Sequence, residues 1–124
     1  MAITSTIISS IKTAALAEFD TMTHIGFGTD NTPASPSDTA LGAEVARKAF
    51  DETPVKDELN GTYDFATTLG LSEGNGNTLE EIGLFDAASG GNMALRELLN
   101  NSVPKTSSIE LSVGIQVQVE VTNN

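Results

Sequence analysis

Four stretches of this chain carry residue types that could do chemistry, and each is weak for a different reason. His24, the single histidine, alternates with Ile25 and Phe27 in a glycine-rich run. A catalytic imidazole needs a nucleophile or a metal-spaced partner, and neither motif is present, so His24 reads as a partly exposed strand residue. Glu80 and Glu81 are the residue type that a glycosidase sets across a scissile bond, but neighbours on a strand point to opposite faces. That geometry predicts a solvated edge. Asp30-Asn31 and the EGNGN turn at 73–77 offer hard oxygens suited to calcium, without the alternate acids and closing glutamate of a calcium loop. Gly26-Phe27-Gly28 precedes a proline-rich loop, where a phosphate cradle requires a helix N-terminus. No catalytic residue, cofactor or metal is expected.

The elements that would hold these residues are mostly strands. Ile109, Leu111, Val113, Ile115, Val117, Val119 and Val121 occupy every odd position of the run 108–121, and nearly every even position is polar. A side-chain period of two puts one face inward and one in water. At ~3.3 Å per residue the run would span roughly 40 Å, a long closing strand. A strand is also expected at 23–28, with Gly26 and Gly28 marking a bulge or a close backbone approach. Residues 29–38, with two prolines, read as a loop. Residues 39–48 could open as a short helix capped by Asp38 and run into a strand over 49–56, placed at a sheet edge by Pro54. Asn60-Gly61 is a two-residue hairpin turn, followed by a strand at 62–71 with Tyr63, Phe65, Thr67 and Leu69 in one phase. Strands at 81–86 and 93–98 flank a glycine-bearing loop at 87–92, and 100–107 reads as a polar connection. Phe27, Phe65 and Phe85 are expected in the core.

Ahead of the strands, Ile8, Ile11, Ala15, Leu16 and Phe19 recur at helical spacing behind a Thr4 or Ser5 cap. Many Ser and Thr lower the helicity of this 1–19 segment, so it needs a surface to lie on. The sum is a mainly β fold: an antiparallel β-sandwich or meander of five or six strands, with an N-terminal helix and a long C-terminal strand. No repeat or linker divides residues 1–124, so one domain is expected.

Composition narrows the partners. Seventeen acidic and six basic residues give a net charge of −11. Nucleic acid and anionic membranes would be repelled, since both are bound through Lys and Arg. No cysteine is present, which rules out disulfides and thiolate metal sites. The N-terminal apolar residues are too interrupted for a signal peptide or a membrane span. Scattered acids suit a protein adapted to concentrated salt, where the Debye length shrinks to about 3 Å at 1 M and self-repulsion is screened.

Three segments together carry a family resemblance. They are Gly26, Gly28 and Thr29; then Thr39, Leu41, Glu44, Val45 and Arg47; then Glu81, Ile82, Gly83, Leu84, Phe85 and Asp86. This order, after a small-residue helix and before a long alternating strand, resembles small structural proteins of tailed viruses. It is similar in particular to the N-terminal domain of tail-collar fibre and baseplate-associated proteins. Those proteins continue into long fibrous regions; this chain stops after its sandwich-like part and would act as a stand-alone module. The resemblance implies a non-enzymatic virion protein at a tail tip, baseplate or fibre attachment. With the acidic bias, it implies a virus of a halophilic archaeon. A capsid decoration or turret role fits the same features, and a receptor- or carbohydrate-binding module is the reading from another class. That last reading is disfavoured by a chain with no Trp and one Tyr. The expected partners are copies of the chain in a cyclic homo-oligomer and neighbouring virion proteins. Expected contacts are Ile3, Ile7 and Ile8 in the N-terminal segment, Thr29, Asp30, Pro33 and Pro36 in the loop, and an exposed strand edge.

Overall fold

Residues 62–69 alternate half-buried and buried without a break, which turns Tyr63, Phe65, Thr67 and Leu69 inward as their period requires. In the computed structural model, which describes residues 2–122, this strand is the middle of one sheet of a two-sheet, mainly β fold. The elements are α1 (Ser5–Ala17), β1 (His24–Gly28), β2 (Glu44–Ala49), β3 (Val55–Asp57), β4 (Thr62–Leu69), β5 (Asn77–Phe85), β6 (Met93–Lys105) and β7 (Leu111–Gln118). One antiparallel sheet runs β2-β1-β5-β6, the other β3-β4-β7. Met1, at the head of the expected 1–19 segment, and Asn123 and Asn124 lie outside the described residues.

The core forms between the inner faces. Ile25, Phe27, Leu79, Ile82 and Leu84 from the first sheet meet Tyr63, Phe65, Leu69 and Ile115 from the second. Phe65 is the hub, with ring centroids of Tyr63 at 4.6 Å, Phe50 at 5.3 Å and Phe19 at 6.5 Å. Each such side chain contributes about 1.5–3 kcal/mol by leaving water. Thr67 is a buried polar residue in the same phase of β4, and its hydroxyl donates to the Ala49 carbonyl at 2.7 Å.

Thr4 caps α1 by accepting from the Ile7 amide. The helix seals one end of the core through Leu16, which is fully buried, while Ile7 and Ile11 stay exposed. Lys12 Nζ donates to the Leu59 carbonyl at 3.3 Å, tying the helix to the β3–β4 connection.

Several expectations give way to tertiary constraints. No helix forms over 39–48, because the Gly42 and Ala43 amides are taken by a side chain of β5 and Leu41 must reach the sheet. The Asp38 carboxylate accepts from the Ser35 amide rather than capping a helix. The strand expected over 49–56 does not form as one piece: β2 ends at Ala49, residues 50–54 belong to no strand, and a three-residue β3 follows at the edge just after Pro54. The described residues therefore form seven strands. Asn60-Gly61 ends a four-residue connection, 58–61, in which Asp57 accepts from the Asn60 amide and Gly61 takes φ +72°. Residues 100–105 continue β6 instead of forming a connection, with Pro104 opposite Thr78; an edge strand tolerates the missing donor. The strand after Gly61 ends at Leu69, so β7 pairs over eight residues rather than fourteen: its partner runs out at Leu69 and Thr62. Glu81 is buried, not solvated.

Candidate functional site

Gly26 and Gly83 are register partners on β1 and β5, and together they leave a bare patch on the outer face of the first sheet. A Cβ at Gly26 would lie 2.6 Å from the Phe85 ring and 3.2 Å from Leu41; one at Gly83 would meet the same two side chains at 2.9 and 3.0 Å. Those glycines therefore make room for Leu41 and Phe85 to lie flat on the sheet, where both are buried. Arg47 stacks over Phe85 with its guanidinium carbon 3.6 Å from the ring centroid. It also grips the Glu44 carboxylate through Nε at 2.7 Å and Nη2 at 2.8 Å. Its Nη1 reaches the Ala87 and Gly90 carbonyls of the β5–β6 hairpin.

Two residues along the ladder, on the same face, Gly28 is paired with Glu81. A Cβ there would collide with the Glu81 carboxylate and come within 2.7 Å of the Ala43 carbonyl. Glu81 is fully buried and fully used. Its Oε1 accepts from Gly42 N and Arg96 Nε, both at 2.8 Å; its Oε2 accepts from Ala43 N at 2.8 Å and Asp30 N at 3.0 Å. The Arg96 side chain is 4% exposed and also pairs with Asp38 at 3.3 Å and Asp30 at 3.7 Å. Burial pushes the Glu81 carboxyl up, but the Arg96 guanidinium and the Ala43, Gly42 and Asp30 amides outweigh it and hold it below the usual range. Glu81 holds Arg96 above its ordinary value.

This cluster is a latch. One carboxylate fastens both ends of the 29–43 segment, at Asp30 and at Gly42-Ala43, to the sheet, and the Thr29 amide closes on the Ala43 carbonyl at 3.0 Å. Within it, Asp30 caps its own turn, accepting from Thr32 N at 3.0 Å and Thr32 Oγ1 at 2.8 Å; those bonds lower its pKa. Asp30, Asp38, Glu81 and Arg96 are all joined in ion pairs within the latch.

The seven expected contact residues divide accordingly. Thr29 and Asp30 are half-buried parts of the latch, whereas Pro33 and Pro36 stand exposed on the span between its anchors. Ile7 is exposed, and Ile3 and Ile8 are half-buried at the start of α1. The latch thus anchors the span that carries the two exposed prolines, while Ile7 belongs to the separate helix α1. Arg96 was missed by sequence reasoning, although the 87–92 hairpin register sets Gly83 opposite Arg96 and so puts Arg96 diagonal to Glu81.

The other chemical candidates are accounted for locally. His24 Nδ1 lies 2.6 Å from Thr23 Oγ1. In the 73–77 turn, Glu73 pairs with Lys48 and accepts from the Gly70 amide, and these bonds lower its pKa. Among the described residues no group of His, Cys, Asp or Glu is placed to hold a metal ion, and no helix is long and apolar enough to cross a membrane. The chain matches no protein-family profile and no curated protein.

Proposed function

We propose that this chain is a non-enzymatic structural subunit of a tailed virus particle. It would act at the tail tip, baseplate or fibre attachment by binding copies of itself and neighbouring particle proteins. One observation carries the reading. Alternate residues of the three segments that resemble tail-collar fibre proteins, far apart in sequence, meet on one face: Gly26 and Gly28, Leu41, Glu44 and Arg47, and Glu81, Gly83 and Phe85. There they form a scaffold, with its charges consumed in holding the 29–43 segment in place. A pre-shaped loop lowers the ordering cost of a protein contact, and this supports an assembly role over a catalytic one.

The charge pattern supports the same reading. Four of the six basic side chains are locked in ion pairs with Asp20, Asp30, Asp38, Glu44, Glu73 and Glu81, and among the described residues the other eleven of seventeen acids form no ion pair. Such a surface suits a partner with a basic face, or a second acidic copy in concentrated salt.

Electron microscopy of purified particles, labelled with an antibody against this chain, tests the proposal. Label at the tail tip is the expected result. Label over the shell replaces it with a decoration or turret role, and particles free of the chain by label and by mass spectrometry overturn it.

A further inference from the structure

The two sheets leave four edge strands, β2, β6, β3 and β7, and three of them carry the devices that keep edges from pairing. β2 holds Arg47 and Lys48 and meets β1 through a bulge at Phe27-Gly28. β3 is three residues long, follows Pro54 and carries Lys56. β6 contains Pro104, its ladder to β5 is interrupted twice, and Glu97 lies beside Ile82 in the groove facing β7. β7 has none of these. From Leu111 to Gln118 it has no charge, no proline and no bulge, and it pairs with β4 in unbroken register over eight residues. A segment of this composition with an open edge is either an interface or an aggregation hazard.

We infer that β7 is a self-association edge, pairing antiparallel with β7 of a second copy about a two-fold axis at Gly114. The inference deepens the self-association part of the proposed function and rests on that part; it does not require a viral setting. Val119 N donates to Gly61 O at 2.7 Å, so odd residues of β7 turn their amides toward β4. The alternation of an antiparallel ladder then aims the amides and carbonyls of Ser112, Gly114 and Gln116 outward. An isologous pair sharing the most ladder must centre on Gly114 or Ile115, the two middle residues of the strand. Centring on Ile115 sets Glu110 opposite Glu120 of the other copy, twice. Centring on Gly114 sets Glu110 opposite Gln118 and Ser112 opposite Gln116, with no like charges facing. The inner-face residues Leu111, Val113, Ile115 and Val117 then meet their counterparts across the axis, and the two three-stranded sheets become one of six strands.

Gly114 allows a register-specific test, because a Cβ there meets nothing nearer than the Phe65 carbonyl at 4.0 Å. Sedimentation of the full chain in about 1 M salt, where charge is screened, is expected to give a dimer of twice 12.9 kDa. Gly114→Lys and Gly114→Glu each place like charges on the axis and should weaken the dimer at least tenfold, and an equimolar mixture should restore it. Because the chain has no cysteine, Gly114→Cys gives an independent readout: paired Cα atoms about 5.5 Å apart should oxidise to a disulfide-linked dimer. A monomer at all concentrations overturns both this inference and self-association. An oligomer that ignores both charge variants and does not cross-link at position 114 overturns the β7 pairing alone. Loss of the dimer without rescue on mixing, and without the disulfide, overturns the Gly114 register.

Discussion

Replacing Glu81 with Gln tests whether the latch holds the 29–43 segment. Each Glu81 oxygen accepts two hydrogen bonds, so an amide nitrogen in either position confronts two buried donors with a third. Unmet buried donors cost about 1–3 kcal/mol each, and breaking one side of a buried ion pair costs about 3–5 kcal/mol in total. For a chain of 124 residues that lowers Tm by about 10–20 °C. The loss should be local first. Hydrogen exchange should show the amides of Asp30, Gly42 and Ala43 opening, while the β4–β7 ladder keeps its protection. Dependence on pH supplies a second check. The Glu81 carboxyl is lowered in the fold, so its contribution is complete above the unfolded carboxylate value of about 4.3 and is lost as pH falls through the depressed folded value. The stability gap between wild type and Glu81→Gln should therefore be flat above about pH 5 and narrow at lower pH. An unchanged Tm, or a gap that stays constant into strong acid, refutes the latch.

Other consequences follow from the same geometry. Gly28→Ala should destabilise by about 2–3 kcal/mol in a denaturant melt, since its Cβ strikes Glu81 and the Ala43 carbonyl, whereas Gly114→Ala should stay within about 0.5 kcal/mol. Leu16→Ala should cost about 2–5 kcal/mol, while Ile7→Ser, on the exposed side of the helix, should leave Tm nearly unchanged. With a net charge of −11 and eleven unpaired acids, Tm in a salt titration should rise steadily toward 1 M; a flat titration contradicts the charge argument.

How far the sequence could be read depends on which force places each residue. Periodicity of two is set locally by the pleat, so Tyr63, Phe65, Thr67 and Leu69, and the odd residues of β7, are legible on sight. The N-cap at Thr4 is equally local. Glu81 is the opposite case. Adjacent acids on a strand look solvated, and nothing within several residues of Glu81 says otherwise. Its burial is decided by Arg96 across the hairpin and by amides that lie 38, 39 and 51 residues upstream in sequence. The missing helix at 39–48 has the same origin: local propensity gave a helix, and a single distant carboxylate took its amides. The glycines connect the two levels. Gly26 and Gly28 are readable as places where something approaches the backbone, though not as what approaches, and Gly83 joins them only through the strand register. What approaches is Leu41, Phe85 and the Glu81 carboxylate, so one non-local cluster accounts for both the glycines and the failed helix. A physical reading of such a chain should therefore treat glycines that align across strands as the outline of an absent side chain, and search the rest of the sequence for the residue that fills it.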